Sequence, residues 1–374
     1  MAQPVISSSR RRVFFAGGGT GGHLYPGLAI ARALVKRAPD IEPFFIGAQR
    51  GIERDVLPTT PFPHLLLDLH PLYRSAPWRN LTTLRGALTS WRRVGHIAQS
   101  SRPLAVVGTG GYAAGVALAW GRAHRIPIAL HEPDSHPGLT TRAYARAAKM
   151  LFLGFPEAAA LLRTRSDAQV LALGAPIEPP RRPADAASQL RREWDLPSDA
   201  FIVLVVGGSQ GAKALNDAIS NWCRRGLPDG VAVIWATGKS QAAAYVDRES
   251  RMVRVRPYLA PIADAYAVAD LAITRAGAMT IAELCAWGIP SILVPLPSAA
   301  QDHQTHNARA VANARAAIHL PQHEMTPESI DAQVRELRRR PDVLAAMRDA
   351  ALERARPNAA DDIARALLLM IGER

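Results

Sequence analysis

Cysteine occurs twice in 374 residues, at Cys223 and Cys285. That excludes a disulfide framework and zinc-ligand spacing, and it fits a reducing compartment. Long apolar runs are also missing. Residues 103–120 are uncharged, but Gly108, Gly110, Gly111 and Gly115 interrupt them, so a strand, a loop and a helix fit better than a bilayer span. Arg10, Arg11 and Arg12 resemble the start of an export signal, yet Val13-Phe14-Phe15 is followed by glycines rather than an apolar core. No repeat or long low-complexity segment stands out. Any membrane contact is expected to be peripheral.

What is present describes a folded chain. Hydrophobic residues make up 48% and charged ones 21%, near the globular average, and the length favours two domains. The 45 Lys and Arg against 32 Asp and Glu give a net charge of +13, which favours anionic partners. The positive charge is dispersed and no recognition motif accompanies it, so nucleic acid is not expected.

Short apolar runs alternate with helical patterns, the signature of βα units feeding parallel sheets. The first series predicts strands at Arg12–Phe15, Pro43–Ile46, Leu104–Val107, Ile128–Leu130 and Met150–Leu153. The second predicts them at Phe201–Val206, Val231–Ala236, Arg251–Val255, Leu271–Thr274 and Ser291–Val294. Between them the proline-rich stretch 174–183 can continue neither a helix nor a central strand. The expected domains are therefore 1–175 and 176–345, followed by terminal helices over 346–374. Thr326 and Asn358 are the expected caps of two of these helices.

Three glycine loops follow predicted strands. Gly17-Gly18-Gly19-Thr20-Gly21-Gly22-His23 opens a helix pattern; Gly108-Thr109-Gly110-Gly111-Tyr112-Ala113-Ala114-Gly115 lies in the same half; Gly207-Gly208-Ser209-Gln210-Gly211-Ala212 begins the other. Such loops let backbone N–H groups approach a phosphate, and a helix N-terminus adds a favourable dipole. The first also satisfies the dinucleotide pattern, but the second strand ends in Gly47-Ala48-Gln49-Arg50 and keeps its acidic residues, Asp40 and Glu42, at its beginning, where they do not fit a ribose-binding role. Alone, each loop is also compatible with an ordinary tight turn. Three of them at strand ends in two α/β halves point to a site with two diphosphate-binding walls.

Taken together, Gly18-Gly19-Thr20-Gly21-Gly22-His23, Gly110-Gly111-Tyr112, His131-Glu132 with Pro137-Gly138-Leu139, the third loop, and Arg275-Ala276-Gly277-Ala278-Met279-Thr280-Ile281-Ala282-Glu283 resemble the MurG family. Its members are N-acetylglucosaminyltransferases that convert lipid I to lipid II in peptidoglycan synthesis. The resemblance implies a GT-B architecture of two Rossmann-like domains facing across a cleft, the last helix returning to the N-terminal one. It implies a peripheral protein on the cytoplasmic face of the bacterial inner membrane, with UDP-N-acetylglucosamine and lipid I as substrates and no metal or other cofactor. Inversion at the anomeric carbon is expected from a single displacement.

By that resemblance the donor meets Thr20, Gly21, Gly22, Asp134, Ser209, the backbone of Leu259, the helix start Ala278-Met279-Thr280-Ile281-Ala282, Glu283 on the ribose hydroxyls, and His303 and Gln304 on the sugar. Gly18, Gly19, Gly110, Gly111 and Tyr112 are the expected contacts of the acceptor pyrophosphate. His23 leads as the general base because histidine's ordinary titration range brackets neutrality; Glu132 is the second candidate. Each has a structural alternative: His23 orients the loop or the acceptor, Glu132 is a hydrogen-bonded loop carboxylate, and His303 is a surface helix histidine. Asp134 replaces a family asparagine and Glu178 a family arginine, with Arg181 or Arg182 as the substitute cation. Trp78, Leu81, Leu84, Arg85, Leu88, Trp91 and Arg92 mix apolar, indole and guanidinium groups at helical spacing, which suits an anionic membrane surface and equally the core face of an amphipathic helix. A GT-B enzyme acting on another membrane lipid, an epimerase and a non-catalytic nucleotide-binding scaffold remain alternatives.

Overall fold

A computed structural model describes residues 11–69, 80–100, 102–181, 186–208 and 211–372, with the backbone alone for 80–85 and 186. The chain divides into two compact units, Met1–Ile177 with Asn358–Arg374, and Glu178–Pro357.

The first unit holds β1 (Arg11–Gly17), β2 (Ile41–Ala48), β3 (His64–Leu67), β4 (Ala105–Gly110), β5 (Ile128–Glu132), β6 (Met150–Leu153) and β7 (Gln169–Leu171). They form a parallel sheet in the order β3-β2-β1-β4-β5-β6-β7. Its helices are α1 (Gly21–Arg37), α2 (Glu53–Val56), α3 (Asn80–Ser100), α4 (Ala114–Ala123) and α5 (Leu139–Tyr144). The second unit has α6 (Ala186–Glu193), β8 (Phe201–Val206), α7 (Lys213–Arg225), β9 (Val231–Ala236), β10 (Val253–Arg256), α8 (Ile262–Val268), β11 (Leu271–Thr274), α9 (Ala278–Trp287), β12 (Ser291–Leu293), α10 (His303–Asn313), β13 (Ala317–His319), α11 (Pro327–Arg339) and α12 (Pro341–Arg354). Its parallel sheet runs β10-β9-β8-β11-β12-β13.

The continuous apolar strands follow from burial on both faces. Phe14 and Ala16 enter the core beneath α4, while Val13 and Phe15 pack on the opposite face with α1. In β8, Val203 and Val205 face one core and Ile202 and Leu204 the other. The last helix, α13 (Ala359–Met370), places Ile363, Ala364 and Leu367 in the core of the first unit. Arg37 of α1 donates to Asp361 of α13 through Nε at 2.6 Å and also through Nη2.

Several sequence expectations need correction. β3, β7 and β13 are absent from the predicted strands; they are edge strands of three or four residues with no long apolar run. β4 continues through Gly108 and Gly110, so the second glycine loop turns only after the strand. The unit boundary falls at Ile177/Glu178, and α12, which the boundary at 345 would cut, packs on α9. Thr326 does cap α11, exchanging hydrogen bonds with Ser329. Asn358 precedes α13 but makes no side-chain cap; its carbonyl accepts from Asp361 and Asp362 N–H.

Candidate active site

In each sheet the strand order reverses once, between β1 and β4 and between β8 and β11. Doubly wound sheets bind ligands at the carboxyl ends of strands beside such a reversal. The first two glycine loops leave β1 and β4; the third leaves β8, and Arg275-Ala276-Gly277 leaves β11. The glycine loops expected to meet phosphate therefore lie at the switch point of both units.

In the first unit His23 joins the two loops. Its Nδ1 lies 3.2 Å from Thr20 Oγ1. A Cβ on Gly110 would come within 2.5 Å of the ring Cδ2, and one on Gly111 would overlap the Gly18 carbonyl. Gly110 and Gly111 also have φ of 101° and 75°, so both space and backbone conformation call for glycine. Tyr112 lies against the α-carbon of Gly19, and Thr140 Oγ1 donates to the Gly111 carbonyl at 3.0 Å. Gly18 and Gly19 do not present free amides: Gly18 N–H donates to Gly110 O (3.3 Å) and Gly19 N–H to Glu53 Oε1 (2.8 Å). The donors left by helix geometry are the first-turn amides of α1, at Gly21 and Gly22. Glu53 carries no motif and escaped the sequence reading.

His131 and Glu132 close β5 and are both buried. Burial holds the His131 pKa down to about 4, against the raising effect of a backbone hydrogen bond at Gly174, with His23 adding a smaller lowering effect. Burial raises Glu132 to about 7, although its oxygens accept from Asp134 N–H (3.2 Å) and Gly138 N–H (3.0 Å). This geometry gives Glu132 a structural role in building the loop ahead of α5, the alternative set beside its candidacy as a base. Because its folded pKa lies above its ordinary 4.5, its contribution to stability is complete below 4.5 and is lost as pH rises through 7. The stability difference between Glu132→Gln and wild type should therefore move in the variant's favour from about pH 5 to about pH 8, measured by urea unfolding.

In the second unit, α9 starts at Ala278 behind Gly277, and its first-turn amides, Ala278, Met279 and Thr280, lack intrahelical acceptors. Ile281 N–H returns to the Gly277 carbonyl, so it is already engaged; Ala282 lies one position before Glu283. Glu283 Oε2 accepts from the buried Tyr266 hydroxyl at 2.7 Å. Its pKa is raised by burial and further by Glu178, while the Tyr266 bond opposes both. The exposed Glu178 thus acts on the expected ribose site as a like charge. Arg181 is exposed, and Arg182, Ser209 and Gln210 lie outside the described residues.

Beneath these groups, Arg275 is buried and donates to Val294 O (3.2 Å), Pro295 O (3.0 Å) and Gln322 Oε1 (2.6 Å). Gln304 Oε1 accepts from Leu296 N–H at 3.0 Å, so its NH2 group is what remains to meet a hydroxyl. His303 Nδ1 sits 2.7 Å from Ala300 O, which anchors the ring to its own turn. Leu259 has its side chain in the core, so it has only backbone to offer.

Of the expected membrane face, Trp78 lies outside the described residues, and Leu81, Leu84 and Arg85 are described by backbone alone on α3. Leu88 is 56% exposed and Arg92 is exposed, one helical turn apart. Trp91 instead packs against the core around Trp120, its ring 6.1 Å from His124. That packing fits the core-face alternative for Trp91. No described helix is long and apolar enough to cross a membrane.

The patterns of the glycosyltransferase family 28 N-terminal and C-terminal domains match residues 13–153 and 202–363. The UDP-N-acetylglucosamine--N-acetylmuramyl-(pentapeptide) pyrophosphoryl-undecaprenol N-acetylglucosamine transferase of Moorella thermoacetica is 37% identical, covering 96% of this chain and 98% of that protein. The protein of the same description from Salinibacter ruber is 36% identical with 98% of each covered. The crystal structure of Acinetobacter baumannii MurG aligns with a TM-score of 0.78 at 28% identity, covering 97% of this chain and 100% of that one. A UDP complex of an anthocyanidin 3-O-glucosyltransferase, 13% identical with a TM-score of 0.67 over 98% of this chain and 99% of that one, shares the fold. With two parallel α/β units of GT-B type, glycosyltransferase family 28 patterns in both, and relatives of one description along nearly its whole length, the chain belongs to the MurG family of glycosyltransferases.

Proposed function

We infer that this chain transfers N-acetylglucosamine from UDP-N-acetylglucosamine to the muramyl C4 hydroxyl of lipid I, giving lipid II and UDP. The observation that carries the reading is the pairing, at the switch point of each unit, of a glycine loop with a helix N-terminus. Two units so equipped suit a reaction in which both substrates carry a diphosphate. The first unit takes the lipid-linked diphosphate at the α1 amides and the loop after β4, which gives Gly21 and Gly22 to the acceptor in place of the donor contact expected from the resemblance. The second takes UDP at the α9 amides, with Glu283 on the ribose.

His23 Nδ1 lies 3.2 Å from Thr20 Oγ1, and in the tautomer that carries its hydrogen on Nδ1 the other ring nitrogen, Nε2, is the proton acceptor. His23 takes the proton of the C4 hydroxyl as that oxygen bonds to the anomeric carbon. The bond from that carbon to the UDP oxygen breaks on the opposite side, and UDP leaves with the electron pair, inverting the centre. The α9 N-terminus stabilises the charge that develops on the departing phosphate.

Incubation with labelled UDP-N-acetylglucosamine and lipid I tests the reading. Label is expected in lipid II; turnover without lipid I, or binding without turnover, rejects it in favour of an epimerase or a scaffold. The exposed Leu88 and Arg92 of α3 support peripheral docking on an anionic membrane surface. Changing both to Ser should reduce sedimentation with anionic vesicles while sparing activity on a water-soluble acceptor analogue. Trp91→Ser should chiefly lower thermal stability. Unchanged partitioning of the Leu88/Arg92 variant removes α3 as the docking face.

A further inference from the structure

Glu53 opens α2 just beyond β2, and its side chain is wholly buried. One oxygen, Oε1, accepts from Gly19 N–H at 2.8 Å and from Ala48 N–H at 3.3 Å. The carboxylate thereby ties the loop after β1 to the end of β2. The other oxygen, Oε2, is buried without a hydrogen-bond partner, and among the described residues Glu53 makes no ion pair. A Cβ on Gly18 or Gly51 would overlap the carboxyl group, and one on Gly47 would come within 3.0 Å of Glu53 Cβ and Cγ. Gly47 and Gly51 have no left-handed backbone to explain them. Their missing side chains make the slot that the carboxylate fills.

Burying a carboxylate with half its hydrogen-bonding capacity unmet is costly, and the bonds it does make act on one loop. Gly19 N–H is drawn inward, and Gly18 N–H is engaged by Gly110. We propose that Glu53 is a positioning residue for the acceptor-diphosphate loop, selecting which backbone amides face the anion by holding Gly19 N–H away from it. The proposal rests on the assignment of the acceptor diphosphate to this loop. Glu53 touches no substrate and acts through Gly19. Released from it, the loop samples arrangements in which Gly21 and Gly22 no longer converge on one phosphate.

Steady-state kinetics and inhibition by a short polyprenyl diphosphate test this. Glu53→Ala is expected to raise the acceptor KM and the inhibition constant by about tenfold, with donor KM within about twofold. Glu53→Gln retains an acceptor oxygen at the same reach and should return both to within about threefold of wild type. Gly51→Ala pushes the carboxyl group out of its slot and should reproduce the Glu53→Ala effect at several-fold size. Added to Glu53→Ala it should do no further harm, because the overlap is gone. Should Glu53→Ala fail to fold, Gly51→Ala carries the test. An unchanged acceptor KM and inhibition constant in Gly51→Ala, equal loss of donor and acceptor affinity, or no rescue by Gln overturns the proposal. If the polyprenyl diphosphate does not compete with acceptor in the unaltered enzyme, the diphosphate assignment itself fails, and that result is separate from anything the variants show.

Discussion

Replacing His23 with Ala should lower kcat by about a hundred- to ten-thousandfold, the range for losing a positioned general base, while affinity for UDP-N-acetylglucosamine stays within about twofold. The separation follows from the architecture. His23 belongs to the first unit, against Gly110 and 3.2 Å from Thr20 Oγ1, whereas Glu283 and the α9 amides belong to the second. The ring is partly exposed, unlike Glu132, whose oxygens are occupied by the loop it builds. Gly110→Ala gives an independent test, because the new Cβ would meet Cδ2 at 2.5 Å and turn the imidazole without removing it. That variant should lose kcat in the same direction. If His23→Ala instead raises the acceptor KM while kcat is preserved, the ring positions the acceptor and another group takes the proton.

The parts of the fold legible in the sequence are those where one physical demand dominates. β1, β8, β9 and β11 are buried on both faces and read as unbroken apolar runs. The prolines around the unit boundary and the Thr326-Pro327 cap are similarly local signals. The edge strands β3, β7 and β13 escaped because they need little apolar surface: Val170 in β7 is exposed. In the site, the glycine loops announced themselves, but the groups that shape them did not. Glu53 lies 34 residues from Gly19, and Tyr266 lies 17 from Glu283. Gly47 and Gly51, both just ahead of Glu53, were the available sign, since glycines at a strand end and before a helix leave room for something. Trp91 shows the converse difficulty. Indole, aliphatic and guanidinium groups at helical spacing describe a core stripe and a membrane stripe equally well, and its ring beside His124 at the edge of the core is a contact the spacing does not reveal.

Glu283→Ala is expected to raise the donor KM by about ten- to a hundredfold, corresponding to about 1.5–3 kcal/mol for hydrogen bonds from ribose hydroxyls to a charged acceptor. Tyr266→Phe should cost less, about threefold, since it removes the 2.7 Å bond that orients the carboxylate but leaves the carboxylate in place. The same site predicts a pH dependence with a defined sign. Burial raises the Glu283 pKa first and Glu178 raises it further, against the lowering effect of Tyr266. The ionised carboxylate accepts from the ribose, so donor affinity should weaken on acidification at a higher pH than an ordinary carboxylate would require. Glu178→Gln removes the neighbouring negative charge and should shift that midpoint to lower pH, strengthening donor binding most on the acidic side. Titration calorimetry with UDP-N-acetylglucosamine across the pH range reads both effects. A midpoint unmoved by Glu178→Gln would show that the two carboxylates are not coupled during donor binding, and unchanged donor KM in Glu283→Ala would remove Glu283 from the ribose site.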